Sequence, residues 1–61
     1  MEFTQIAGTN CGERDCPAVF RTDRGTIAVQ GDIVERQTAV GEGVVEIPTD
    51  ILKEAVRALG W

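Results

Sequence analysis

The two cysteines are the residues whose type and spacing could most directly do chemistry. Cys11 and Cys16 form a C-x4-C pair. Redox catalysis typically uses a C-x-x-C pair and structural zinc uses four ligands, and the chain has no histidine to add. Three interpretations stay open: free structural thiols, which we favour, a disulfide that closes the small loop, or a metal site shared between two chains. We expect no metal and no other cofactor, with Cys11 and Cys16 as the only metal candidates.

The other polar residues do not form a catalytic pattern. Histidine, the commonest general base near neutral pH, is absent, and the carboxylates do not recur at a spacing typical of an acid–base pair. Neither a nucleophile motif nor a glycine-rich phosphate-binding motif occurs. The sequence therefore predicts a protein that is not an enzyme.

Arg21 and Arg24 are the cations best placed to contact a partner, because they flank a predicted turn. They could simply solvate that turn, or they could bind an acidic protein surface or a phosphate backbone. Six basic against ten acidic residues give the chain a net charge of −4. This balance makes direct nucleic-acid binding unlike the usual basic footprint and favours a basic protein as partner.

Length restricts the organisation of the chain to a single small domain, residues 1–61. A domain of this size buries a small share of its unfolded surface and often depends on disulfides, a metal or oligomerisation. Since cysteine and histidine are scarce, self-association is the expected route. No apolar run reaches the roughly 18–20 residues that span a membrane, and Glu2 stands where a signal peptide would be basic. We therefore expect a cytoplasmic protein without a membrane segment.

Residues 18–30 predict a β-hairpin that is apolar on both faces. Residues 18–22 and 26–30 are the strands, joined by a type I turn with Gly25 in the left-handed region as a G1 bulge. In this register Phe20 lies opposite Ala28 and Val19 opposite Val29. One face carries Val19, Arg21, Ile27 and Val29, and the other carries Ala18, Phe20, Thr22, Thr26, Ala28 and Gln30. One short helix cannot cover both faces, so the pattern predicts a second protein surface.

The remaining chain predicts shorter elements around this hairpin. Residues 3–7 indicate a first strand, 8–17 and 35–43 loops, and 33–34 and 44–47 further strand segments. A C-terminal helix begins after Pro48, with Thr49 as the predicted N-cap and Gly60 at its end. Its apolar stripe consists of Ile51, Leu52, Ala55, Val56 and Leu59.

These elements predict an α+β fold: a three- or four-stranded antiparallel sheet with one C-terminal helix on one face. A second copy or a partner would cover the other face. The candidate partner-binding residues are Phe20, Arg21, Arg24, Ala28 and Trp61, the last of which could instead pack back on Val56.

Several short motifs in residues 11–58 are similar to the small actinobacterial BldB-like regulatory proteins. They are a Cys-Pro-x-Val-aromatic strand from Cys16, the Thr-Asp-Arg-Gly turn from Thr22, a Val-Gln-Gly strand end and a Val-Glu-Ile-Pro start of the helix. The block also resembles, more remotely, a domain of unknown function often encoded beside helix-turn-helix regulators. The resemblance implies a small dimeric accessory protein acting with a transcription factor, including toxin–antitoxin-like pairing. No catalytic residues carry over.

The leading expectation is therefore a non-enzymatic, homodimeric regulatory module that docks its apolar sheet face on itself or on a regulator. A second hypothesis is a DNA-binding dimer that inserts the 18–30 hairpin into a groove. A third is a redox- or metal-responsive switch through Cys11 and Cys16.

Overall fold

The computed structural model describes residues 1–8 and 16–61, which form five strands and one helix. In chain order these are β1 (Phe3–Gly8), β2 (Ala18–Thr22), β3 (Ile27–Gln30), β4 (Asp32–Val34), β5 (Val44–Glu46) and α1 (Thr49–Leu59). The strands form a three-stranded antiparallel sheet in the order β1-β2-β3 and a separate two-stranded ladder of β4 and β5. The predicted α+β class is confirmed, whereas the later strand segments pair with each other instead of extending the first sheet.

Gly31 marks the place where the chain leaves the first sheet. A Cβ at this position would collide with the carbonyl oxygen of Glu46 and lie 2.8 Å from Cγ2 of Ile47. The end of β5 therefore passes directly against the start of β4, and only a residue without a side chain permits this approach.

The β2–β3 hairpin has the predicted register, with Phe20 opposite Ala28 and Val19 opposite Val29. The Gly25 N–H donates to the Thr22 carbonyl oxygen at 3.4 Å, and the Thr22 N–H donates to the Thr26 carbonyl oxygen at 3.0 Å. Gly25 has a φ of 75°, the left-handed conformation predicted for it. Local turn chemistry thus determines how β2 and β3 align.

An irregularity in β1 explains why its sequence alternates poorly. Phe3 lies opposite Thr22 and Ala7 opposite Val19, with a register shift between Gln5 and Ala7. The extra residue in this bulge, Ile6, packs against the same core as Ala7. Phe3 faces the opposite side of the sheet, so the two apolar residues of the strand serve different surfaces.

The helix starts one residue earlier than a Thr49 cap requires. Pro48 is the N-cap in extended conformation without a side-chain cap bond, and its carbonyl oxygen accepts from the Ile51 N–H at 3.0 Å. The Thr49 prediction is therefore wrong, because the fixed φ of proline already supplies the extended entry into the first turn. The C-terminal prediction is confirmed: Gly60 is left-handed, and the Trp61 N–H donates to the Val56 carbonyl oxygen at 3.1 Å, as in a Schellman motif.

The core lies between α1 and the β1–β2 part of the sheet. It consists of Ala7, Val19, Ile51 and Ala55, with Ile6 and Ile47 packed against it. The helix thus covers the face of the hairpin that carries Val19, a choice that the sequence left open. In the part of the chain that the structure describes, no helix is long and apolar enough to cross a membrane.

Candidate interaction surface

The face of the three-stranded sheet opposite α1 carries an apolar hollow. The rings of Phe3 and Phe20 lie 5.5 Å apart at a tilt of 38°, within the range of favourable aromatic pairs. They border an open hollow of about 330 Å³. Its lining is Phe3, Phe20, Ala28, Val29, Gln30, Gly31 and Val45. The open face, as we call the side of the sheet that carries Phe3, Phe20 and Ala28, can accept an apolar side chain from another molecule.

The other face of β3 is also uncovered. An α-helix is about 10–12 Å wide and strands lie about 4.8 Å apart, so one helix covers roughly two strands. Since α1 packs on β1 and β2, Ile27 and Val29 of β3 stay 41% and 45% exposed. The hairpin therefore presents apolar side chains on both of its faces, as the sequence pattern predicted.

Two of the predicted partner-binding residues lie next to each other on the open face. Phe20 and Ala28 are ladder partners and both line the hollow. Arg21 lies on the opposite face, between Thr4 and Ile27 in the ladders, and its side chain is exposed. The structure therefore brings the apolar candidates together and places Arg21 across the sheet from them.

Arg24 and Trp61 lie outside the hollow. Arg24 is exposed in the hairpin turn, and its backbone N–H donates to Oγ1 of Thr22 at 3.2 Å. Trp61 is 78% exposed beyond the end of α1 and borders a different shallow depression, together with Lys53, Val56 and Arg57. Trp61 remains a candidate contact that the structure separates from the sheet.

Sequence reasoning missed Phe3 and Val45 as members of the open face. The signal for Phe3 was the unexplained break in alternation between Phe3 and Ile6, which a bulge resolves. No local signal places Val45, because its position follows from the close passage of β5 at Gly31.

Cys16 is disulfide-bonded, so the favoured interpretation as a free thiol is wrong for this residue. A disulfide constrains the unfolded chain, which suits a domain with so few buried side chains. Cys11 lies outside the described residues. Among residues 1–8 and 16–61, no group of three or more His, Cys, Asp or Glu side chains could hold a metal ion.

Comparison of the chain with protein-family models, with curated proteins and with solved structures finds no match.

Proposed function

We propose that this protein is a non-enzymatic regulatory module that forms a homodimer through the β2–β3 hairpin and acts with a transcription regulator. The observation that carries the proposal is the exposure of apolar side chains on both faces of the three-stranded sheet, Ile27 and Val29 on one side and Phe3, beside the half-buried Phe20, on the other. Apolar patches of this kind mark interaction sites in small folded proteins.

A second copy of the chain is the first proposed partner, and it would bind at β3. A 61-residue chain gains stability from sharing its core with a second copy. The apolar pattern of β3 also contains no charge that a second copy would repel.

A regulator is the second occupant, on the open face. The resemblance of residues 11–58 to BldB-like proteins and to domains encoded beside helix-turn-helix regulators supports this step. The net charge of −4 on this chain also favours binding to a DNA-binding protein, because the surface of such a partner is basic. Direct DNA binding by the hairpin has less support, because Asp23 stands between Arg21 and Arg24 at its tip.

Light scattering after size exclusion, over a range of concentrations, with and without reductant, tests the dimer. We expect twice the chain mass in both conditions, since the interface is non-covalent. Val29→Glu places a charge in the hairpin and should raise the dimer dissociation constant at least about tenfold, or about 1.4 kcal/mol. Leu52→Glu is the matched control: Leu52 is similarly exposed, at 54%, but lies on α1, so this variant should dimerise like the wild type.

A monomeric wild type would contradict the proposal. Equal changes of the dimer dissociation constant in Val29→Glu and Leu52→Glu would also contradict it. The regulator step is tested by calorimetric titration with the purified helix-turn-helix regulator encoded nearest to this chain. Phe3→Ser, at an exposed position on the open face, should weaken that binding and leave the dimer intact. Unchanged binding would remove the open face from the proposal.

A further inference from the structure

The outer edge of β3 carries hydrogen-bonding groups that no strand of the described chain uses. β3 pairs with β2 on one side only. The Thr22 N–H bonds to the Thr26 carbonyl oxygen, and bonded and non-bonded pairs alternate along an antiparallel ladder. Phe20–Ala28 and Ala18–Gln30 are therefore the bonded pairs, which leaves the N–H and C=O of Ile27 and Val29 directed away from β2.

The opposite edge of the sheet is protected in ways that β3 is not. β1 contains the bulge, α1 packs on it, and the Gln5 side-chain amide donates back to the Ala7 carbonyl oxygen at 3.4 Å. Natural proteins protect edge strands with bulges, charges, prolines or covering elements. β3, with the sequence IAVQ, has no charge, proline or bulge.

The second ladder does not offer a comparable edge. β4 and β5 are three residues each and carry Asp32 and Glu46, which discourage pairing with another strand. Among the strands that the structure describes, β3 thus has the edge most open to strand addition.

We infer that two copies join β3 to β3 antiparallel about a two-fold axis at Ala28, so that the two three-stranded sheets become one sheet of six strands. This rests on the homodimer of the proposed function and specifies its geometry. Strand addition needs outward-directed groups to face each other. Placing Ile27 opposite the partner's Val29 is the register that pairs both of these residues within β3, and it puts Ala28 opposite the partner's Ala28.

The side chains of β3 agree with this register. Ile27 and Val29, about half exposed in the monomer, become cross-strand apolar neighbours, and β-branched pairs of this kind stabilise sheets. The small Ala28 suits the axis, where non-hydrogen-bonded partners approach to about 4.5 Å between Cα atoms.

Cysteine cross-linking tests the register, because non-hydrogen-bonded partners are close enough for a disulfide. Under mild oxidation, Ala28→Cys should form a covalent dimer, with the bond mapped to position 28 by mass spectrometry. Thr26→Cys and Gln30→Cys are the matched controls: each alone should not cross-link, whereas a mixture of the two should, because residue 26 lies opposite residue 30. The wild type, run in parallel, reports any bonds from its own cysteines.

Amide hydrogen exchange gives a second measurement that needs no substitution. The Ile27 and Val29 amides should exchange freely at low concentration and on the order of tenfold more slowly where the dimer dominates. If the wild type dimerises but Ala28→Cys does not cross-link and these amides are not protected, the register is overturned and the proposed function stands. Cross-linking of Thr26→Cys alone would also overturn it. A wild type that stays monomeric would overturn the proposed function itself.

Discussion

The half of the chain that α1 covers and the half that it leaves open differ in how much apolar surface they bury. The buried side chains of the described residues, Ala7, Ala18, Val19, Ile51 and Ala55, all lie in β1, β2 and α1. The strands β3, β4 and β5 have none, although they carry Ile27, Val29, Ile33 and Val45, all exposed. One half thus forms a small protein core. The other half carries apolar side chains typical of a core, but they stay exposed.

This difference teaches that pattern alone does not locate a core. Residues of the same type occur in both halves, and what separates them is the reach of a helix that is wide enough for about two strands. The uncovered half is therefore where interactions with other molecules are expected. Three substitutions, each with a matched control substitution, test the contrast between the halves.

The largest effect is expected for Ile51→Ala, which removes a buried side chain from the covered half. The loss of burial and the cavity should lower the free energy of unfolding by about 2–4 kcal/mol, enough to unfold much of a chain of this size. Ile33→Ala makes the same substitution in the open half, where Ile33 is 82% exposed, and should change it by less than about 0.5 kcal/mol. Urea denaturation followed by circular dichroism measures both. Equal losses would mean that the two halves are equally packed.

A smaller effect is expected at the junction between the halves. Gly31→Ala forces a Cβ against the Glu46 carbonyl oxygen and the Ile47 side chain, at a cost of about 1–3 kcal/mol for overpacking. Gly43→Ala is the control, since nothing lies within 4 Å of a Cβ at that position. If both variants have the wild-type denaturation midpoint, the second ladder does not pack closely at Gly31.

The smallest effect is expected in the turn that links β2 to β3. Oγ1 of Thr22 accepts from the N–H groups of Arg24 and Thr26, at 3.2 and 3.3 Å, and lies 2.6 Å from Oγ1 of Thr26. Thr22→Val removes all three bonds and should cost about 1 kcal/mol in this exposed setting. Thr26→Val removes only the contact between hydroxyls, so its thermal midpoint should fall less. A larger loss in Thr26→Val would show that the turn does not depend on Thr22.

Hairpin alignment and the C-terminal end of the helix were predictable because their causes are local. The register around Gly25 and the Schellman end at Gly60 each depend on a few neighbouring residues with restricted backbone choices. Thr49 was assigned as a cap wrongly, because Pro48 supplies the same extended conformation one residue earlier.

By itself, the sequence determined the α+β class, the β2–β3 hairpin and its two apolar faces, since alternation and turn residues act within a few positions of each other. Only the tertiary structure decided that α1 covers the Val19 face, that a bulge sends Ile6 and Phe3 to opposite sides, and that Val45 joins the open face. These outcomes depend on which segments meet across the chain. A contact between distant residues has no signature in either segment alone.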